Sequence, residues 1–297
     1  MNLIVDMNNA FYKSYYVYKT MYKEQDKINE KLLFNKFMVD FFYSIRLFND
    51  KYKVDRVICC FDSKNNFRKK LDLNYKSNRV KNEDIGFYNV LDYLAKFLLK
   101  EGFIVGKIDE LEADDLIGLY ANHLKDEINC ILSADEDLRQ LLNEKTFIFN
   151  NNSDKRFYFD ATSECIELRK FQVNFAKSKI IFENPHWVLF KKMILGCDAD
   201  MVPKLLAGRI GEKTLKKKIF DKIKFNKNEI TLKLLEQLEK TIWFRLKFKE
   251  TVTAFQMFDN LSLVDLSGRF IKPKSNVEWF NFRDKAKFTY NSNYQFA

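Results

Sequence analysis

Nine carboxylates in this chain are grouped as a metal-dependent chemistry would need them: Asp6, Asp62, Glu112, Asp114, Asp115, Asp135, Asp137, Asp198 and Asp200. The densest cluster is Glu112-Ala113-Asp114-Asp115, in which Glu112 and Asp115 would share one face of a helix. Each cluster alone also has a plain structural use. Acids in a first helical turn interact favourably with the helix dipole, Asp135 suits an N-cap, and Asp6 and Asp62 suit turns. Asp198 and Asp200 would be solvated loop acids. The combination argues for more. So many like charges repel strongly unless cations compensate them, and oxygen-only ligands select hard ions such as Mg²⁺ or Mn²⁺. More acids than one ion needs indicates two ions about 3.5–4 Å apart, which activate water and neutralise charge during attack on a phosphodiester.

The surrounding pattern supplies a way to gather these acids. Leu3-Ile4-Val5 leads to Asp6, Val57-Ile58-Cys59-Cys60-Phe61 to Asp62, and Cys130-Ile131-Leu132 through Ser133-Ala134 to Asp135. Continuous apolar runs suit central strands of a parallel sheet. Helical patterns from Leu32 to Phe48 and from Phe87 to Leu99 alternate with them, so the expected class is α/β. Ligands in such sheets sit at the carboxyl ends of the strands. Seven of the nine acids then map to one sheet edge. Asp135 is expected to open a helix through Leu138, Leu141 and Leu142. From Asn184 the texture turns helical, with Asn184 as N-cap, Pro185 in the first turn and Gly196 just past the end. Trp187, Phe190 and Ile194 share a face of that helix. The division expected is 1–183 for the sheet domain and 184–297 for a smaller helical domain. The aromatic tail with Trp279, Phe280, Phe282 and Tyr290 is not assigned to an element.

Composition sets the outer limits. The chain has 297 residues, 46 % hydrophobic and 16 % aromatic, which excludes global disorder. No run of about 18 apolar residues is free of charge, so no membrane helix is expected. The N-terminus reaches Asp6 before a signal-peptide core could form, and the expected location is cytoplasmic. The cysteines (Cys59, Cys60, Cys130, Cys165, Cys197) form no C-x-x-C pair, which fits a reducing compartment. His123 and His186 are the only histidines, too few for histidine catalysis or a histidine zinc site.

Lys and Arg outnumber Asp and Glu by 51 to 41, a formal charge of +10. The excess is local. Residues 64–81 and 213–228 each carry seven basic side chains against one acid, and the rest of the chain is slightly acidic. In the first segment Phe67 and Tyr75 interleave with the cations and could stack on exposed bases. The second follows Gly208-Arg209-Ile210-Gly211-Glu212-Lys213-Thr214, a turn whose backbone N–H groups suit a phosphate. It lacks the spacing of a P-loop. Both segments otherwise read as solvated basic surface. Two concentrated basic segments around an acidic cleft favour a nucleic acid over a membrane.

In these residues the chain resembles the flap endonuclease/5′→3′ exonuclease family, in its stand-alone phage-type form, from Leu3 to about Asp265. Leu3-Ile4-Val5-Asp6-Met7-Asn8-Asn9 is similar to the opening strand motif, with Met7 where glycine is usual. Phe61-Asp62, Phe67-Arg68 and Tyr75-Lys76-Ser77-Asn78-Arg79 resemble the second acidic strand and the helical arch, near 64–95. Glu112-Ala113-Asp114-Asp115 matches E-A-D-D, and the segment from Ser133 to Leu141 resembles S-x-D-x-D-x-x-Q-L. Gly208 to Thr214 is similar to the turn of a helix–three-turn–helix module, near 187–228. Phe258 to Asp265 resembles a late family segment. One departure stands out: where the family has G-D-x-S-D-N-I-P, this chain has Gly196-Cys197-Asp198-Ala199-Asp200-Met201-Val202-Pro203. Cys197 takes the place of an acid, and a thiol is a poor Mg²⁺ ligand.

The resemblance implies a PIN-like, mostly parallel sheet with a helix–three-turn–helix domain. It implies two Mg²⁺ ions, replaceable by Mn²⁺, and a K⁺ at the helix–three-turn–helix turn. Asp6, Asp62, Glu112, Asp114 and Asp115 would serve the first divalent ion. Asp135, Asp137 and Asp200 would serve the second, with Asp198 as a substitute from beside Cys197. Lys76 and Arg79 would act on the scissile phosphate. Arg68, Tyr75, Lys76, Arg79, Gly208, Gly211, Lys213, Thr214, Lys216 and Lys217 would bind the nucleic acid. The substrate would be branched or nicked DNA, or RNA–DNA, with a 5′ end. The protein would be a monomer, in the host cytoplasm if phage-encoded, with a replication clamp or single-strand-binding protein as a further partner. The alternative is a non-catalytic, structure-specific DNA-binding protein whose second metal site was lost at Cys197. A haloacid-dehalogenase-like phosphatase would need D-x-D after the first strand, and a small PIN-type ribonuclease would not need the basic helical module.

Overall fold

A computed structural model describes residues 1–22, 28–79, 85–150, 155–159, 179–206, 210–223, 225–246, 253–267 and 270–271. Its centre is one sheet of seven strands, in the spatial order β3-β2-β1-β4-β5-β6-β7. They are β1 (Asn2–Asp6), β2 (Arg56–Cys60), β3 (Ile104–Gly106), β4 (Asn129–Leu132), β5 (Thr146–Asn150), β6 (Lys155–Phe159) and β7 (Lys179–Glu183). Among the described strands, only β5 and β6 pair antiparallel. The three apolar runs are β1, β2 and β4, adjacent in the middle, with Ile4 opposite Ile58 and Ile131. They read as continuous apolar runs because both faces are covered. Leu3, Val5, Val57, Cys59, Cys130 and Leu132 face one core, while Ile4, Ile58, Cys60 and Ile131 face another.

Chain order determines where a crevice opens. From β1 the chain passes through α1 (Met7–Met21) and α2 (Glu30–Tyr52) to β2, then through α3 (Arg68–Leu71) and α4 (Ile85–Lys100) to β3. Helix α5 (Ala113–His123) then carries it back across the sheet to β4, on the far side of β1. Helices α1, α2 and α4 pack on one face and α5 on the other. Connections from β1 and β4 therefore diverge, which opens a crevice at their carboxyl ends.

The helical part has its own core. Helix α6 (Pro185–Leu195) is capped by the Asn184 side chain, which accepts the N–H groups of His186 and Trp187. It ends at Gly196, where φ is 69° and an added Cβ would lie 2.4 Å from the Val202 carbonyl oxygen. After it come α7 (Glu212–Leu215), a π-helical turn (Lys216–Phe220), α8 (Asp221–Ile223), α9 (Leu232–Leu246) and α10 (Ala254–Val264). Trp187, Phe190, Leu215, Ile219, Leu235 and Met257 fill this core. Residues cross between the parts: Tyr75 packs into the helical core, and Leu266 and Ile271 pack into or against the core beneath α5. Gly208, Cys165, Val80, Lys81, Lys224 and the aromatic tail lie outside the described residues. Among the described residues, no helix is long and apolar enough to cross a membrane.

The segment after α10 is fastened closely. Gln140 donates to the Val264 carbonyl at 3.0 Å and accepts the Leu266 N–H at 3.0 Å. Gly118 of α5 faces the same backbone, where an added Cβ would stand 2.1 Å from the Leu266 oxygen. Gly118→Ala is therefore expected to displace this segment and destabilise the protein by about 1–3 kcal/mol, read as a lower urea midpoint.

Candidate active site

The strand ends aim three acids into the crevice. Asp6 ends β1 and caps α1, accepting the Asn9 N–H at 2.9 Å and the Ser133 hydroxyl at 2.8 Å. Asp62 follows β2 and accepts the Asn8 amide at 2.8 Å and the Ala113 N–H, at the start of α5, at 2.7 Å. Asp135 follows β4 and accepts the Asp137 N–H at 2.8 Å. That bond begins a short 3₁₀ turn, Asp137–Leu141, in place of the expected α-helix. Gln140 from this turn bonds the end of α10 and the residues just after it.

These groups enclose a cavity of about 150 Å³ lined by Asp6, Asp62, Glu112, Asp114, Asp135, Asp137 and Asp200. Asp115 and Asp198 stand elsewhere. Asp115 is buried, accepts the Glu112 N–H at 3.0 Å and is gripped by both arms of Arg68 at 2.6 and 2.7 Å. Asp198 is exposed, and its carbonyl accepts the Asn78 amide at 3.0 Å and the Met201 N–H at 3.2 Å.

Cations reach the cleft from the 68–79 segment. Lys76, in left-handed backbone conformation, donates its N–H to the Asp200 carbonyl at 3.0 Å. Its Nζ lies 2.6 Å from Glu112 Oε1 and 4.0 Å from Asp200 Oδ1. Arg79 pairs with Asp200 Oδ1 at 2.6 Å, and the Tyr75 hydroxyl donates to Glu112 at 3.1 Å. Arg68 and Tyr75, expected on nucleic acid, are 1 % and 4 % exposed. Arg68 also donates to the Leu263 carbonyl at 2.8 Å, so it braces the cleft wall from within. Sequence reasoning missed Lys192, which pairs with Asp137 and lies 3.9 Å from Cys197 Sγ. A lysine inside the apolar run of α6 was the available signal. It also missed Asn8, Asn9 and Tyr12, which line the cavity. Cys197 is 3.5 Å from Asp200 Oδ2.

Charge is compensated unevenly. Burial pushes Glu112 up, but Lys76 and Arg68 beside it bring its carboxyl below the usual range. Asp6 differs: burial, then the charges of Asp62 and Asp135, push it up to about 7 against the hydrogen bonds it accepts. Asp114 rises well above its ordinary value through burial and the charges of Asp135 and Asp6. Burial also raises Asp62 and Asp135. Among the described residues no three acids, cysteines or histidines already converge as a closed metal site. The donors around Asp6, Asp114 and Asp135 are nevertheless oxygens that burial and mutual repulsion raise, and that environment fits a hard divalent cation.

A second basic surface lies apart from the cavity lining. Lys213, Thr214, Lys216 and Lys217 are exposed on α7 and the π-helical turn, while Leu215 and Ile219 point into the core. Gly211 is the N-cap of α7.

Residues 1–169 match the family described as the 5′-3′ exonuclease N-terminal resolvase-like domain. A 5′-3′ exonuclease of Mycoplasmopsis pulmonis is 28 % identical over 232 residues, 74 % of this chain and 69 % of that protein. A 5′-3′ exonuclease of Mycoplasma genitalium is 40 % identical over 95 residues, 31 % of this chain and 32 % of that protein. Among solved structures, the zinc-bound phage T5 5′-exonuclease superposes with a TM-score of 0.58 at 19 % identity, covering 90 % of each chain. A phage T5 flap endonuclease complexed with DNA and metal ions gives 0.60 at 21 % identity, again over 90 % of each chain.

The electrostatics set a pH dependence. Asp6 keeps its proton in the folded, metal-free protein up to about pH 7 but ionises near its ordinary 3.8 when unfolded. Between those values the folded state binds more protons, so this group's contribution to stability falls as pH rises. In metal-free protein, the melting temperature of Asp6→Asn relative to wild type is expected to climb from pH 4 to pH 7.5. A difference that stays flat across that range contradicts the assignment.

Proposed function

The chain belongs to the 5′-3′ exonuclease family, and we propose from that premise that it is a structure-specific 5′ nuclease. Its substrates would be branched or nicked DNA, and RNA–DNA, with a 5′ end. The observation that carries this reading is the cleft itself, where seven carboxylates from five segments meet Lys76 and Arg79. Asp6, Asp62, Glu112 and Asp114 would hold one Mg²⁺ or Mn²⁺, and Asp135, Asp137 and Asp200 a second. When bound, such ions supply a hydroxide nucleophile and stabilise charge on the phosphate.

The chain's own residues then hold and orient the substrate. A phosphate entering the cleft can accept the hydrogen bonds that Lys76 and Arg79 now give to Glu112 and Asp200. Lys76 is the better placed for the reacting phosphate, because its side chain is 13 % exposed and its backbone is tied to Asp200. Arg79, with a side chain 56 % exposed, can swing toward an incoming strand. Both would offset charge that develops during hydrolysis. The exposed lysines of α7 and the π-helical turn would grip a duplex backbone without reading its sequence. The likeness to a T5 complex with DNA supports the same partner. A K⁺ at the turn before α7 and a monomeric state belong to this reading.

Cleavage mapping on labelled flap, nick and RNA–DNA substrates tests it. Mg²⁺-dependent cuts near the 5′ junction are expected. Asp135→Ala should abolish them with flap affinity unchanged, and Lys76→Ala should lower kcat by about 100-fold. Binding without any cutting in Mg²⁺ or Mn²⁺ would instead identify a non-catalytic junction-binding protein.

Cys197 has a separate outcome. Cys197→Asp restores an oxygen donor beside Asp200, and it is expected to lower the Mg²⁺ concentration for half-maximal cleavage without loss of rate. Abolished cleavage would show that the thiol itself is needed.

A further inference from the structure

An aromatic surface leads away from the cleft. Tyr12 lines the cavity, and Tyr16 follows one turn later on α1, its ring 6.3 Å from that of Tyr12 and inclined by only 26°. Tyr16 is 60 % exposed. From α4, Phe87 packs on Tyr12 at 4.6 Å, with Tyr88 beside Phe87 at 5.3 Å. Tyr88 is 44 % exposed. Burial, then the neighbouring Tyr88, Asp62 and Tyr16, raise the Tyr12 hydroxyl above its ordinary value. The two exposed rings therefore adjoin the cleft. The other interleaved aromatic expected to stack on bases, Phe67, packs against the core beneath α5 and the Arg68 guanidinium.

We propose that Tyr16 and Tyr88 form a stacking surface for unpaired bases of the single-stranded 5′ tail where it passes beyond the cleft. The proposal rests on the reading of the protein as a 5′ nuclease and names a further contact for its substrate. An aromatic face accepts any base, so the surface suits a tail of arbitrary sequence. Stacking adds an attraction that does not depend on the tail phosphates, which Lys76 and Arg79 can serve only at the cleft. Lys13, exposed three residues before Tyr16, adds one positive charge beside the rings.

The test uses the full chain and one duplex junction carrying 5′ oligothymidine tails of increasing length. Affinity is measured in Ca²⁺ and cleavage in Mg²⁺. In wild type, affinity is expected to rise with the first few tail nucleotides. The gain should vanish when those nucleotides are abasic. In the Tyr16→Ala/Tyr88→Ala protein the gain should shrink by roughly tenfold, whereas cleavage of a nick without a tail is unchanged. Tyr16→Phe/Tyr88→Phe should retain the gain, since stacking does not need the hydroxyl. A double alanine variant that keeps the full gain, or an abasic tail that binds as well as an intact one, would overturn the proposal. Should wild type cut nothing, tail affinity still reads the stacking surface, so a failed nuclease reading is distinguishable from a failed tail surface.

Discussion

Taking Asp6, Asp114 and Asp135 out of water together costs on the order of several kcal/mol per ionised group unless positive charge is brought beside them. The rest of the site is arranged around that constraint. On one side the protein supplies the charge itself, through Lys76 on Glu112, Arg79 on Asp200 and Lys192 on Asp137. On the other side burial and the neighbouring carboxylates raise Asp114 well above its ordinary value and push Asp6 up to about 7. The asymmetry matters chemically. A divalent ion and a phosphate have opposite charge requirements, and under the proposed function the two sides of the cleft would serve one each.

Holding that arrangement requires both parts of the molecule. Asp200 and Lys192 come from the helical part, Asp6, Asp62, Glu112 and Asp135 from the sheet. Arg68 ties Asp115 to the Leu263 carbonyl, and Gln140 clips the backbone at Val264 and Leu266. Leu263, Val264 and Leu266 also line the cavity. The closing segment is therefore part of the cleft wall, and Tyr75 and Leu266 pack from one part of the molecule into the core of the other.

Much of this was legible in the sequence, for definite reasons. Strands buried on both faces have no alternation to disguise them, so β1, β2 and β4 and the acids at their ends could be read directly. Asn184, Pro185 and Gly196 marked α6 because capping chemistry is local. What could not be read depends on tertiary packing. Arg68 and Tyr75 sit in a basic segment that looks solvated, yet one pairs with buried Asp115 and the other fills the helical core. Asp198 and Asp200 are two residues apart on a 3₁₀ turn, and that turn sends one outward and one into the cleft. Helix α1 went unnoticed because its tyrosines and polar residues blur the apolar period. Lys192 was hidden in an apolar run, since nothing local shows that a lysine there faces Asp137.

The central claim is that buried, partly protonated carboxylates await a divalent cation. Calorimetric titration of the full chain with Mg²⁺ near pH 6.5, repeated in buffers of different ionisation enthalpy, measures the protons displaced as the ion binds. Net proton release is expected, and it should be reduced in Asp6→Asn and in Asp114→Asn. Tight Mg²⁺ binding with no proton exchange, or release unchanged in both variants, would contradict the account.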